Sequence, residues 1–378
     1  MSSEELERPV ETRGIGPGIV DCDIHPAPKN GGETLKPYIA RQWQEHMDTF
    51  GDPHNGPYAS AYGFPRYMPA TARRDAWPDD GGLPGSNLET MRAQHLDRND
   101  VALGILEPLG FGNSARNLEY GAALCAAVNE WQVDEFVDKE PRLRASIVVM
   151  MEDAPAAVEQ IRRHAPDQRF AQVQMPSLTA EPLGRRRYWP IFEEAASHGL
   201  PIGIHVGGPT GARTAGGWPA YYNEEHLSLV STLQTHMISL VMEGVCEQFP
   251  NLKFILIEGG VVWSISLRKR LDRLWGVLRS EVPHVRMAPS EYIARNFYFS
   301  TQPVEEPENP SDLPALFEQV GWDRILYSSD YPHWDYDDPK YAFKCEMPDE
   351  GMKKLMRSNA LDLYRLDRTT NHTSKDLP

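Results

Sequence analysis

Short apolar, β-branched runs alternate with stretches at helical spacing from one end of the chain to the other. Eight such runs stand out, at 18–25, 102–107, 144–150, 170–175, 201–206, 253–258, 297–301 and 324–330. Their interiors are largely apolar, the pattern of parallel strands covered on both faces rather than of half-exposed strands with strict alternation. Between them, amphipathic stretches at 118–137, 154–164, 188–198, 226–248, 262–279, 313–320 and 351–364 predict helices. The punctuation agrees, since Gly199-Leu200-Pro201 stops one helix just before the fifth strand and Pro250 stops another before the sixth. Strand then helix, repeated eight times, predicts an α/β fold, a (β/α)8 TIM barrel over 14–366. A doubly wound open sheet shares the alternation but often shows a glycine-rich phosphate turn after its first strand. Here that strand ends in Asp21-Cys22-Asp23-Ile24-His25-Pro26.

One interval breaks the rhythm. Residues 26–100 separate the first two strands, about 75 residues where a connection is usually roughly 2 to 6. The interval is rich in Gly, Pro, Tyr and Trp, which predicts a lid-like insertion over the C-terminal mouth of the barrel, with a helix over 87–96. An oligomer contact is compatible with the same segment. Tyr62, Tyr67 and Trp77, together with Tyr331, are candidate apolar walls of a pocket, the alternative being ordinary packing. The polar tail 367–378 is expected to be loose.

Composition narrows the partners. Lys and Arg total 38 against 54 Asp and Glu, a formal net charge of −16, which repels a nucleic-acid backbone. The basic runs Arg185-Arg186-Arg187 and Arg268-Lys269-Arg270 are local exceptions; they read as solvated helix faces, although the first could clamp a carboxylate. Four scattered cysteines, Cys22, Cys125, Cys246 and Cys345, make neither a disulfide scaffold nor a thiolate zinc site. No stretch has the roughly 18 uninterrupted apolar residues of a membrane span, and the polar start lacks a signal-peptide core. A cytoplasmic protein without a membrane partner is the expectation.

The ionisable residues fall at the strand ends. Asp23 and His25 close the first strand, His205 the fifth, Glu258 the sixth and Asp330 the eighth. In a barrel these positions converge on the C-terminal mouth, where active sites of this fold lie. An ionisable group at the end of a buried strand is costly unless it is paired or bound to a cation. Asp23 and His25, two apart, share a strand face, and imidazole with carboxylate suits a divalent metal. Asp23, His25, His205, Glu258 and Asp330 are therefore the candidate metal ligands, with Glu258 and Asp330 also placed to move protons. His333 and Asp335, just after Asp330, are candidates to orient it or to touch substrate, and His226 opens a helix near the mouth. His236, ten residues further on, reads as a packing residue. Ser328 and Ser329 lack a nucleophile elbow, which disfavours a serine triad. A glycosidase pair made of Glu258 and Asp330 would leave the histidines idle.

The strings Asp21-Cys22-Asp23-Ile24-His25-Pro26, Gly203-Ile204-His205-Val206-Gly207-Gly208, Ile257-Glu258-Gly259-Gly260 and Tyr327-Ser328-Ser329-Asp330-Tyr331-Pro332-His333-Trp334 resemble the amidohydrolase superfamily, in its aminocarboxymuconate-semialdehyde-decarboxylase-like branch. Asn359-Ala360-Leu361-Asp362-Leu363-Tyr364 also looks like that family's ending. By position, the resemblance implies that Asp23, His25, His205 and Asp330 are metal ligands and that the enzyme is a hydrolase or decarboxylase of a small, often aromatic-derived carboxylate. Two departures stand out: Asp23 replaces the first histidine of a His-x-His motif, and where the resemblance implies an acid/base histidine after the fifth strand's ligand, the region after the sixth strand offers only Glu258-Gly259-Gly260. The set of two imidazoles and three carboxylates admits zinc, iron or manganese, as one ion or as two bridged by a carboxylate. The alternative reading is a dinuclear iron or manganese monooxygenase, which would also need an electron-transfer partner. A catalytically silent barrel serving an active paralogue is a third. A homodimer or a hetero-oligomer with a paralogue is the expected assembly.

Overall fold

The computed structural model describes residues 15–51, 69–110, 112–113, 115–207 and 214–366. Eight parallel strands follow one another in chain order: β1 (Ile19–Ile24), β2 (Val101–Leu106), β3 (Leu143–Val148), β4 (Phe170–Pro176), β5 (Ile202–His205), β6 (Phe254–Ile257), β7 (Phe297–Ser300) and β8 (Ile325–Leu326). The last strand returns to the first. The Cys22 amide donates to the Tyr327 carbonyl at 3.0 Å and the His25 amide to the Tyr331 carbonyl at 2.8 Å. Helices cover the outside of the strands, as the TIM barrel predicted from the chain requires.

Local chemistry starts and stops these helices. Asn87, Asn117 and Asp153 accept the amides of Thr90, Tyr120 and Ala156 at 2.9, 3.0 and 3.2 Å, so each begins its helix with a side-chain cap. Gly199 ends the helix Trp189–His198 in the left-handed region at φ 69°, a conformation that glycine reaches without Cβ strain.

Two layers of core result. Outside the barrel, residues such as Ile24, Leu106, Ile147, Val173 and Ile204 pack against the helices. Within it, Val20, Cys22, Leu103, Ile105, Ile255, Ile257 and Leu326 meet Leu361, Leu363 and Tyr364 of the C-terminal helix Asn359–Tyr364. With the site at the C-terminal strand ends, that helix closes the opposite end. The ladder between β1 and β2 is irregular between Asp21 and Ile24. Across that irregularity Cys22 belongs to the inner cluster while Ile24 belongs to the outer one. The break in alternation re-aims the side chains that follow.

Several expectations on element boundaries are corrected. The eighth strand was expected over 324–330 but its ladder covers only Ile325–Leu326. Beyond it, side chains enter the bonding: Thr301 Oγ1 accepts the Ser328 amide at 3.2 Å and Asp21 Oδ1 the Ser329 amide at 3.0 Å. The single helix expected over 226–248 is three, Tyr222–Ser228, Val230–Met242 and Val245–Gln248, with Gly244 at φ 87° before the last. Helices Arg41–Phe50 and Pro289–Asn296 were not anticipated. The helix over 87–96 is present as Leu88–Met91 followed by a wider turn, Arg92–Leu96.

The described parts of the 26–100 insertion touch the end of the barrel that carries the site. The Arg73 amide donates to the Pro332 carbonyl at 3.0 Å and the Trp334 amide to the Thr71 carbonyl at 2.9 Å. Tyr62 and Tyr67 lie outside the described residues. Among the described residues, no helix is long and apolar enough to cross a membrane.

The inner plug should be measurable. Leu361→Ala removes a buried side chain from the closed end of the barrel, and we expect a loss of about 2–5 kcal/mol of stability, read as a lower urea midpoint.

Candidate metal centre

His25 follows β1 and His205 ends β5, and both rings are oriented from behind by main-chain carbonyls. His25 Nδ1 donates to the Glu107 carbonyl at 2.7 Å and His205 Nδ1 to the Val206 carbonyl at 2.6 Å. A carbonyl only accepts, so the proton of each ring sits on Nδ1 and the Nε2 lone pair is aimed forward. In front of these lone pairs stand carboxylates. His25 Nε2 is 3.1 Å from Asp23 Oδ1 and 2.8 Å from Asp330 Oδ1. His205 Nε2 is 3.6 Å from Asp23 Oδ1 and 3.0 Å from Glu258 Oε2. The five residues expected at this mouth thus converge, and one donor atom each from Asp23, His25, His205 and Glu258 lies within 4.8 Å of the others.

The backbone is bent to bring two of them in. Glu258 and Asp330 have φ of 59° and 61°, the left-handed region that costs a non-glycine residue about 1–2 kcal/mol. Neighbouring bonds hold them there. The Glu258 amide donates to Ser300 Oγ at 3.0 Å, and the Asp330 amide donates to the Asp23 carbonyl at 3.2 Å. After Glu258, the Glu305 carboxylate accepts the amides of Val261 at 2.6 Å, of Trp263 at 3.2 Å and of Val262. It caps the helix Trp263–Leu278 and fixes the loop that carries Glu258.

The site fits a cation. Both oxygens of Asp23 and the Nε2 atoms of His25 and His205 are buried without a hydrogen-bond partner. Lone pairs of nitrogen and oxygen face one another there, an arrangement that a proton or a metal ion resolves. Mixed imidazole and carboxylate donors suit zinc, iron or manganese. Without an ion, the charges pull on one another. Burial alone would raise Asp23, but the imidazoles of His25 and His205 outweigh it and hold that carboxyl below its usual range. For His205, burial is outweighed by Asp23 and Glu258, and its imidazole is pushed well above the ordinary value. Asp330 is driven well up by burial and by the nearby Glu258, only partly offset by His25.

A second group overlaps the first. His333 Nδ1 lies against Asp330 Oδ1, and its ring stacks on His25 with centroids 4.4 Å apart. Donor atoms of His25, Glu258, Asp330 and His333 also gather within 4.8 Å. Gln302 Nε2 donates to Asp330 Oδ2 at 3.3 Å, and burial lowers His333. Beside this group His226 Nε2 meets Asp335 Oδ2 at 3.0 Å, with Trp334 and Tyr222 ringing the histidine.

Other expected positions fall away from the cluster. His236 accepts the Leu183 amide at 3.2 Å and donates to the Ser177 carbonyl at 2.6 Å, as a packing residue should. Arg185 and Arg187 pair with Glu181, while Arg186 lies over the Trp189 ring, so the run supplies no carboxylate clamp at the mouth. Arg268 donates to the Val320 carbonyl at 3.1 Å, likewise a structural contact. Tyr331 is corrected as a pocket wall: it is fully buried, stacked on His95 and bonded through its hydroxyl to Gln94 at 3.0 Å. Trp77 is 43% exposed. Ser328 and Ser329 serve backbone bonds, Ser328 Oγ accepting the Gln302 amide and Ser329 Oγ the Tyr331 amide. Sequence reasoning missed Glu107, fully buried just past β2, where burial and Asp23 raise its carboxyl well above the usual range. It carried the same signal as Glu258, an acid closing an apolar run.

A closed barrel whose mouth gathers imidazoles and carboxylates around unpartnered donor atoms defines a metal-binding barrel of enzymatic type. The family model described as Amidohydrolase matches residues 20–366, and the chain belongs to that family. A gamma-resorcylate decarboxylase from Polaromonas sp. (strain JS666 / ATCC BAA-500) is 23% identical over 314 residues, covering 76% of this chain and 94% of its own. An amidohydrolase structure from Mycobacterium avium subsp. paratuberculosis K-10 superposes with a TM-score of 0.70 at 22% identity, covering 92% of this chain and 99% of its own. A dihydroxybenzoic acid decarboxylase from Polaromonas sp. JS666, with bound manganese and the inhibitor 2-nitroresorcinol, gives 0.63 at 18% identity, over 95% and 100% of the two chains.

Two outcomes are expected of the cluster. His205→Ala should weaken manganese binding by more than about 100-fold in a titration, since it removes a donor outright. Because Asp23 and Glu258 raise His205, a proton competes with the ion up to a higher pH than at an ordinary histidine. Affinity should therefore still be rising with pH above about 6.5, and a flat profile there would contradict the assignment.

Proposed function

We propose that this chain is a metal-dependent carboxy-lyase that decarboxylates a small, aromatic-derived carboxylate. The observation that carries the reading is the convergence of Asp23, His25, His205, Glu258 and Asp330 with buried, unpartnered donor atoms. The decarboxylase names of similar proteins support lyase over hydrolase chemistry. Asp23, His25, His205 and Asp330 would hold the ion, with Glu258 as a further ligand or a proton carrier. A divalent ion bound there supplies a Lewis acid that polarises and orients a substrate oxygen.

The chain's own task is then the proton. Breaking the carbon–carbon bond releases CO2 and leaves an electron pair on the ring carbon, to which a proton must be delivered. With Asp330 given to the ion, Glu258 and His333, whose Nδ1 lies against Asp330 Oδ1, are the groups placed to hold and pass that proton. The described part of the 26–100 insertion, anchored to the loop after β8 through Thr71 and Arg73, would form a wall of the mouth and limit water there.

A second reading rests on the overlap of the two donor groups, which share His25 and Glu258. Three carboxylates are overcompensated by one charge against two divalent ions and undercompensated by one charge against a single ion, so charge admits two ions as readily as one, as in a dinuclear iron or manganese monooxygenase. Metal analysis combined with His333→Asn separates the two. The lyase reading expects one ion per chain, CO2 release from a hydroxybenzoate panel, and a kcat lowered about 10²- to 10⁴-fold in the variant with its metal retained. Two irons per chain, one of them lost in the variant, with no CO2 released, would contradict it and favour the second reading.

A further inference from the structure

Behind the candidate ligands lies a buried polar group that none of the proposed chemistry uses. Asp21 and His95 are both fully buried, and Asp21 Oδ2 accepts from His95 Nε2 at 2.6 Å. The other oxygen, Oδ1, accepts two amides at once, that of Asp23 at 3.1 Å and that of Ser329 at 3.0 Å. One of those amides belongs to a candidate ligand and the other to the residue just before Asp330. A single carboxylate oxygen thus ties together the ends of β1 and β8 where Asp23 and Asp330 leave them.

His95 is itself held in place. It lies in the turn Arg92–Leu96, at the end of the insertion, and stacks on Tyr331 with centroids 5.2 Å apart and planes 10° from parallel. Its Nδ1 faces the Tyr336 hydroxyl at 3.1 Å and the Asn99 amide group at 3.3 Å, while Asn99 also donates to the Tyr336 oxygen at 2.7 Å. Two donors before Nδ1 direct the ring N–H at Nε2 toward Asp21. The arrangement joins the return of the insertion, β1 and the loop after β8 through hydrogen bonds that leave neither Asp21 oxygen free.

The irregularity of β1 gives this placement its consequence. Asp21 points to the outer layer, toward His95, whereas Asp23, two residues on, points to the cluster at the mouth. An unbroken strand would put both on one face. Asp21 Oδ1 bonds the amide inside that irregular stretch, so the bond holds the conformation that aims Asp23 inward.

We propose that Asp21 and His95 are positioning residues that preset Asp23 and Asp330 for the ion, the helix before β2 thereby supporting the metal centre. This rests on the metal-binding reading and is independent of which reaction follows. Outer partners of metal ligands typically contribute 10- to 100-fold in affinity. Asp21→Asn keeps an oxygen for the amides but turns an N–H donor against that of His95; His95→Phe keeps the volume and removes the bond. His95→Gln retains a donor near the Nε2 position.

The test is the dissociation constant of Mn²⁺ alone, by titration followed in the EPR spectrum of free Mn²⁺, with melting of the metal-free and loaded forms of each protein. Asp21→Asn and His95→Phe should each weaken Mn²⁺ about tenfold or more and shrink the rise in melting temperature on loading, while His95→Gln stays within about threefold of the parent. Equal loss of stability in both forms, with affinity within twofold of the parent, would make the pair merely structural and overturn the proposal. If Asp21→Asn does not fold, the comparison of His95→Phe with His95→Gln decides alone. Failure of the parent protein to bind Mn²⁺ would instead overturn the metal reading beneath it.

Discussion

Two imidazoles whose Nδ1 protons are committed to main-chain carbonyls, and whose bare Nε2 atoms are aimed at buried carboxylates, set the terms for everything at the mouth of this barrel. While neutral, neither His25 nor His205 can donate forward without abandoning a buried carbonyl, a loss of about 1–3 kcal/mol. The lone pairs therefore stay in opposition until a positive charge arrives. The hydrogen bonds that look structural, to the Glu107 and Val206 carbonyls, are what aim both Nε2 atoms at the carboxylates, where a proton or a metal ion competes for the same place.

The barrel supplies this constraint through geometry that costs stability locally. Glu258 and Asp330 sit in the left-handed region, and Asp23 is turned inward by an irregular ladder. Strain of this kind persists only where the surroundings over-determine it. Here Ser300, Glu305, the Asp23 carbonyl and the Asp21 carboxylate do so, and each accepts backbone amides of a candidate ligand or of its near neighbours rather than bonding the ligand's side chain.

Much of the fold was legible because a parallel strand covered on both faces has little choice but to be apolar, and all eight runs became strands. The candidate site was legible for the same reason, since Asp23, His25, His205, Glu258 and Asp330 interrupt that apolarity where strands end. Legibility failed where side chains replaced regular bonding. The ladder of β8 stops at Leu326, and the next three amides go to the Leu355 carbonyl, to Thr301 and to Asp21 instead of to a neighbouring strand. Tyr331 looked like a pocket wall but turned to stack on His95, a partner 236 residues before it in the chain that no local pattern announces. Glu107 closed its run just as Glu258 did, yet it is held by Gln172 and Ser146 inside the barrel. Helix Pro289–Asn296 lies in a stretch whose few apolar positions are too short a repeat to stand out.

The most direct measurement is pulsed EPR of the protein loaded with one equivalent of Mn²⁺, read for nitrogen couplings. Two imidazole nitrogens should couple to the ion, and replacing either His25 or His205 should remove one of them. A Mn²⁺ spectrum without nitrogen coupling, unchanged in both variants, would show that the ion binds elsewhere and would contradict the account.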